Sequence, residues 1–326
     1  MTRLSRTSRS AAGAAAIAIA ALLFTPPVPA FSQDGESVTV DIMSRYRVAP
    51  NITYLTADGY ESKLDVMTPR GQGPVPTLIY IHGGGWVGGT KESSVLRALP
   101  YLEMGWAVVN VEYRLGRNAL APGAVEDCRC ALRWVYENAE DYNIDTSRLV
   151  VTGASAGGHL SLTTGMLPAS AGLDRLCPGR DADRPGWAAA DEYEMPVAAI
   201  VNWFGITDVG DLLEGVNAKS YAVAWMGSRS DRMELAKRVS PLTYVRSGLP
   251  PILTIHGDVD NIVPYQHALD LHAKLDKAGV VNRIHTVPGK GHGNFTPDEQ
   301  QEIFRVIRAF LAEHVTAGEA ASTGAE

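Results

Sequence analysis

An α/β fold is what this sequence predicts: a mostly parallel central sheet with helices on both faces and a small cap or lid. Three observations carry that expectation. Thr77-Leu78-Ile79-Tyr80-Ile81 and Ala107-Val108-Val109-Asn110-Val111 are continuous apolar runs, the pattern of strands buried on both faces of a parallel sheet. Such runs alternate with helical patterns along the chain, and a β-then-α rhythm builds parallel sheets through crossover helices. Between Arg148 and His159 an apolar run enters Gly153-Ala154-Ser155-Ala156-Gly157, and an Ala/Leu-rich helical stretch follows at once. That strand–turn–helix context is what a nucleophilic serine on a sharp turn requires.

The 326 residues are 45% hydrophobic and show no repeat, which suits one large domain better than two small ones. Residues 1–30 read as a Sec signal peptide. Arg3, Arg6 and Arg9 stand without an acid, Ala11 to Phe24 is apolar, and Thr25-Pro26-Pro27-Val28-Pro29-Ala30 ends on a small residue suited to cleavage. The apolar run is too short and alanine-rich for a stable membrane span. No cysteine follows it to take a lipid. A soluble periplasmic or secreted protein without a stable membrane anchor is therefore expected. Cleavage takes the net charge from −7 to −10, because three arginines leave with no acid. An acidic exported chain is a poor candidate for binding nucleic acid or anionic membranes. Cys128 and Cys130 lie two apart on a helical stretch and point different ways. A bridge from either one to Cys177, or three small buried side chains, are the open alternatives.

The elements follow in order. Residues 31–50 are a polar lead-in, and the folded domain is expected over 51–315. Ile52–Thr56 and Lys63–Met67 alternate apolar and polar around Ala57-Asp58-Gly59, a β-hairpin signal at a sheet edge. Glu92 to Met104 is helical in pattern. Val125, Cys128, Leu132, Val135 and Ala139 mark one face of a further helix. After the serine turn a helix runs to about Leu167. Val197–Trp203, Ile252–Ile255 and Ile284–Val287 supply strands, with helices near Tyr265–Ala278 and Pro297–His314. Two stretches break the rhythm: 168–195 reads as a surface insertion, and 209–245 as a lid or cap segment beside the site. Residues 316–326 read as a disordered tail.

The chemistry gathers at strand ends. His82-Gly83-Gly84-Gly85-Trp86 follows the first buried strand, and a glycine run there leaves backbone N–H groups free to meet a developing negative charge. The lysine and Ser/Thr of a phosphate loop are absent after it, and the spacing of a dinucleotide fingerprint is not met. No nucleotide or other cofactor is expected. No His/Cys/Asp cluster has metal-ligand spacing either. His256-Gly257-Asp258-Val259-Asp260 offers two carboxylates at one strand end. Gly291-His292-Gly293 places a histidine in a glycine-rich loop, with both ring nitrogens free for partners. His292 is the candidate base for Ser155, with Asp260 or Asp258 holding its tautomer. Trp86 and Trp203 are candidates for the substrate pocket.

His82–Trp86, Glu112-Tyr113-Arg114, Gly153–Gly158, Asn202-Trp203-Phe204-Gly205, His256–Pro264 and Gly291–Gly293 together resemble the α/β-hydrolase superfamily. More narrowly they are similar to its HGGGW-type esterase/lipase branch, which includes acetylxylan and feruloyl esterases and kynurenine formamidase-like enzymes. The resemblance spans roughly residues 50–315. It implies that the triad acid is Asp260, with Asp258 as the runner-up, and that the oxyanion donors are the backbone amides of Gly83, Gly84 and Ala156. Only about 50 mature residues precede the glycine loop, so a bulky N-terminal cap and a long-acyl lipid substrate are not expected. The resemblance favours small acyl groups, such as acetyl or feruloyl on plant polysaccharide.

Three functions fit these residues to different degrees. The first is an exported serine carboxylesterase acting on a small-molecule or polysaccharide ester. The second is an aryl-formamidase or another amide/ester hydrolase on the same triad. The third is a non-catalytic binding protein on a hydrolase scaffold, and the intact serine, histidine and glycines speak against it. The sequence does not fix the oligomeric state.

Overall fold

The computed structural model describes residues 33–71, 73–178 and 194–317. The expected signal peptide, residues 179–193 of the expected insertion and residues 318–326 of the expected tail lie outside the described residues. The chain divides into two units after Val40. Of the first, the described part is helical (α1, Gln33–Arg45, which runs into the second). Everything below concerns the second unit.

Eight strands make one sheet: β1 (Tyr46–Ala57), β2 (Tyr60–Pro69), β3 (Val75–Ile81), β4 (Ala107–Val111), β5 (Ile144–Ala154), β6 (Ala199–Trp203), β7 (Ile252–Gly257) and β8 (Asn282–Val287). Their order is β1-β2-β4-β3-β5-β6-β7-β8. β2 pairs antiparallel with both β1 and β4, and every other neighbouring pair is parallel. The helices are α2 (Leu99–Glu103), α3 (Gly123–Glu137), α4 (Ala156–Met166), α5 (Ser220–Met226), α6 (Arg232–Arg238), α7 (Gln266–Lys277) and α8 (Pro297–His314). Strand alternation sends Ile79, Ile81, Val109 and Val151 into the core shared with α3, α4 and α7. Leu78, Tyr80, Val108 and Val150 enter the core shared with α2 and α8. Both faces are covered, which is why these strands read as unbroken apolar runs.

Four expectations need correction. The sheet begins before residue 51: the lead-in holds α1, and β1 starts at Tyr46, whose buried hydroxyl lies within hydrogen-bond distance of Leu102 O and Trp106 O, at 2.8 and 2.9 Å. Pro50-Asn51 hides that strand in the sequence, because it forms a bulge where Asn51 takes φ 57°. β1 alone of the hairpin lies at the sheet edge, since β2 also pairs with β4. The Glu92–Met104 stretch is a 3₁₀ segment, Lys91–Ala98, followed by the short α2. Pro100 sits in the first turn of α2, where a missing N–H is tolerated. α3 ends at Glu137, so Ala139 falls beyond it.

The two breaks in rhythm are packed as follows. The described start of the 168–195 stretch is tied into the core. Cys177 is disulfide-bonded to Cys130, and buried Asp174 pairs with buried Arg129 at 3.4 Å. Cys128 is free and buried. Residues 209–245 are likewise packed into the domain, with Ala222, Trp225 and Met226 fully buried in the core of α3 and α4. From the same segment, Tyr221 reaches the cavity that Ser155 lines.

Candidate active site

Ser155 stands at the end of β5, between β3 and β6 in the middle of the sheet. Its φ of 59° and ψ of −119° lie outside the favoured regions for a residue with a side chain, at a cost of about 1–3 kcal/mol. Close packing enforces that conformation. A Cβ on Gly157 would collide with the carbonyl oxygens of Ile81 and His82, and one on Gly153 would stand 2.5 Å from Ile81 O. Only glycines let the turn press against the end of β3. Ser155 N donates to Trp203 O at 2.9 Å, and α4 begins at the next residue, bringing its positive dipole end beneath the hydroxyl.

Asp260 lies in the turn after β7. Its Oδ1 accepts from the N–H groups of Ile262 and Val263, at 2.8 and 3.0 Å. Its Oδ2 accepts from His292 Nδ1 at 2.7 Å and lies 3.3 Å from His256 Nε2. Burial on its own would raise the carboxyl pKa, but hydrogen bonds from His256 and His292 outweigh it and hold the group well below the usual carboxylate range. Asp258 is exposed and accepts from Gly289 N at 2.6 Å, so it props the loop after β8 and does not face the ring. With Nδ1–H donated to Asp260, neutral His292 keeps Nε2 as the acceptor. His292 and Ser155 line one cavity of about 640 Å³. The Phe204 ring, 4.5 Å from the imidazole edge-on, fixes the histidine from the other side.

The glycine loop after β3 forms the remaining side. His82 is buried and stacked on Tyr113, ring centroids 4.3 Å apart, and its Nδ1 donates to Gly83 O at 2.7 Å. Burial lowers its pKa, so the ring is neutral. Tyr113 also donates its hydroxyl hydrogen to His82 O, at 3.1 Å. Arg114, the next residue, is locked by Asp127 at 2.6 Å, which anchors the Glu112-Tyr113-Arg114 stretch behind the loop. A Cβ on Gly83 would lie 2.6 Å from Ala154 O and 3.7 Å from Ser155 Cβ, so the loop touches the serine turn. The N–H groups of Gly83, Gly84 and Gly85 donate to no other described residue. The amide of Ala156 opens α4, where a first-turn N–H has no intrahelical acceptor. Three candidate oxyanion donors therefore stand free beside Ser155.

Neither tryptophan lines the cavity. Trp86 is fully buried, stacked on Trp225 at 4.2 Å, and donates Nε1–H to His159 Nδ1 at 3.1 Å. Trp203 is 6% exposed and packs toward Phe304 of α8, on the opposite face of the sheet. A buried indole needs an acceptor for its N–H, and His159 draws Trp86 inward. The apolar wall of the cavity is instead Tyr80, Phe204, Tyr221 and Ile262. Tyr113 stood within a motif but without a role, and His159 and Tyr221 were not among the candidates. His159 carried a signal, lying one helical turn beyond Ser155; Tyr221 carried none, since it arrives from a distant short helix. Among the described residues, no group of three or more His, Cys, Asp or Glu is arranged to hold a metal ion.

Fold and site define an α/β-hydrolase of the esterase/lipase branch. The sequence profile of the BD-FAE family matches residues 64–275, from β2 to α7, and the chain belongs to that family. Esterase LipQ of Mycobacterium tuberculosis is 28% identical over 225 residues, covering 68% of this chain and 51% of LipQ. Carboxylesterase NlhH of the same organism is 32% identical over 162 residues, covering 46% of this chain and 51% of NlhH. The chain spans about half the length of the curated relatives it matches. Among solved structures, a truncated carbohydrate esterase from gut microbiota superposes with a TM-score of 0.67 at 28% identity, over 83% of this chain and 96% of the other. Propionate-bound esterase Est2 of Thermogutta terrifontis gives 0.65 at 25% identity, over 81% and 94%.

Proposed function

We propose that the protein is an exported serine carboxylesterase that hydrolyses short-acyl or carbohydrate-linked esters, acetyl or feruloyl, through an acyl-enzyme. The observation that carries this reading is that His292, held by Asp260, lines one cavity with Ser155 and the unpaired glycine amides. Ser155 Oγ attacks the ester carbonyl as His292 Nε2 takes its proton, and Asp260 stabilises the imidazolium through Nδ1. The carbonyl oxygen gains charge facing the amides of Gly83, Gly84 and Ala156. One such donor is worth about 3 kcal/mol of transition-state stabilisation. The intermediate collapses, His292 returns the proton to the departing alcohol, and water repeats the cycle on the acyl-serine.

Support for the substrate class comes from relatives: one similar structure is of a carbohydrate esterase, and Est2 holds propionate or butyrate. Support for export comes from the Cys130–Cys177 disulfide, since such bonds persist in oxidising compartments. The test is labelling by a fluorophosphonate with peptide mapping, alongside a panel of 4-nitrophenyl esters, acetylated xylan and methyl ferulate. Stoichiometric label on Ser155 and turnover of short-chain esters are expected. Label on another residue would refute the assignment, and intensified turnover only on long-chain esters would refute the substrate class. N-terminal sequencing of the secreted product checks export, with cleavage expected after Ala30.

A further inference from the structure

One wall of the cavity is not used by that mechanism. Arg97, on the 3₁₀ segment after the glycine loop, reaches it beside Tyr80, Ser93, Ser94 and Asn294. Arg97 is the one charged side chain among the described residues that line the cavity; His82 there is neutral and Asp260 lies behind His292. Nearby ions on the same face are matched. Lys91 is paired with Asp65 and Glu92, and Glu103 with Arg308. Arg97 has no such partner among the described residues. It is near enough to Tyr80 for its charge to oppose the burial that pushes that phenol up to about 12. Arg97 is itself solvent-exposed where it lines the reaction cavity, and in a chain with net charge −7 an unmatched guanidinium there offers a contact to an anion from outside.

We propose that Arg97 makes this site selective for esters that carry an anionic group, a carboxylate above all, on the part lying along this wall. The inference rests on the esterase reading of Ser155. The guanidinium fork matches a carboxylate through two parallel N–H donors, and the Asn294 amide adds a donor to the lining of the same cavity. Long-range repulsion from the acidic surface is screened beyond about 10 Å at ordinary salt, so the local cation decides at contact. Two kinds of substrate share this chemistry: a half-ester of a dicarboxylic acid, with the charge on the acyl side, and an acylated acidic saccharide or phenol, with the charge on the alcohol side.

Two substrate pairs separate them. Mono-4-nitrophenyl succinate against 4-nitrophenyl butyrate places the carboxylate on the acyl half. 3-Acetoxybenzoate against its methyl ester places it on the alcohol half. The ratio of kcat/KM, anionic to neutral, is compared between the wild type and Arg97→Gln, Arg97→Lys and Arg97→Glu, so that intrinsic reactivity cancels. In the pair that reaches the wall, Arg97→Gln lowers the ratio about tenfold, the scale of one charge-assisted hydrogen bond. Arg97→Glu lowers it further, Arg97→Lys restores part of it, and high salt narrows the difference. Ratios that move by no more than about twofold in both pairs, the range of a solvated surface charge, overturn the proposal while leaving the esterase reading intact. Failure of the wild type to turn over any of the four esters overturns both.

Discussion

Trp86 donates its indole hydrogen to His159 Nδ1 at 3.1 Å, tying the end of the glycine loop to the first turn of the helix that Ser155 opens. His159 Nε2 donates in turn to Val239 O at 2.7 Å, so one neutral ring joins the loop, the nucleophile helix and the segment after α6. Trp86→Phe keeps the stack on Trp225 but leaves His159 Nδ1 buried without a donor, a loss of about 1–3 kcal/mol. Denaturant unfolding should report that loss, while the acyl-chain profile stays unchanged. A shifted profile would return Trp86 to the substrate pocket.

Burial lowers the His159 pKa from 6.5 to about 4. The unfolded chain therefore binds a proton between those values that the native state refuses, and stability falls as pH drops through that window. The contribution is fully present above about pH 6.5, and about 3 kcal/mol of it is lost by pH 4. Buried His82, His267 and His272 shift in the same direction. His159→Gln keeps an acceptor for Trp86 and a donor for Val239 without titrating. Its unfolding free energy should decline less steeply than the wild type's between pH 6.5 and 4.5, and equal slopes would rule His159 out as a contributor.

The two carboxylates after β7 should separate sharply. Asp260 orders His292 and accepts two backbone N–H groups, whereas Asp258 caps Gly289 at the surface. Asp260→Asn should cost about 10⁴ in kcat, the effect of the wrong tautomer in serine proteases. Asp258→Asn should alter kcat several-fold at most. Steady-state rates on one short-chain ester decide this, and the opposite ranking would reassign the acid.

How much of this was legible follows from how far each signal reaches along the chain. β3, β4 and α8 could be read locally, because burial on both faces or a capped amphipathic period is written in consecutive residues. α8 even carries its capping box, Thr296 with Glu299. Ser155 could be read because steric demands at the turn fix glycines two residues either side. Trp86 could not, since its direction depends on Trp225 and His159, 139 and 73 positions away in a chain of 326. The choice between Cys128 and Cys130 depended on where Asp174 and Cys177 return to α3, which no spacing encodes.

The Cys130–Cys177 bond closes a loop across 47 residues, and loop-closure entropy gives it about 4 kcal/mol. Reduction, or Cys130→Ala, should lower unfolding free energy by that order, with the same change in Cys177→Ala. Cys128→Ala removes one buried sulfur and should cost less than either. Equal losses in all three variants would mean that packing, rather than the cross-link, is being measured.

Among the apolar side chains that line the cavity, Tyr221 and Phe204 are expected to limit acyl length. Tyr221 presses its ring against the glycine loop, where a Cβ on Gly85 would stand 2.9 Å from it, and its hydroxyl donates to Ile262 O at 3.2 Å. Held at both ends, that ring is a fixed barrier beside Phe204. An open apolar groove would gain about 0.8 kcal/mol for each added CH₂, so kcat/KM would climb with chain length. A fixed barrier does the opposite, pushing the carbonyl of a longer chain away from the amides of Gly83, Gly84 and Ala156. A displacement of about 1 Å there costs on the order of 10²-fold in rate. Acetyl to butyryl esters should therefore be preferred, with a steep fall beyond about six carbons, the scale at which these two effects cross. Tyr221→Ala should flatten that fall, whereas Trp86→Phe should not. A wild-type profile still rising from hexanoyl to decanoyl would show that Tyr221 gives way and that the site accepts lipid-like chains.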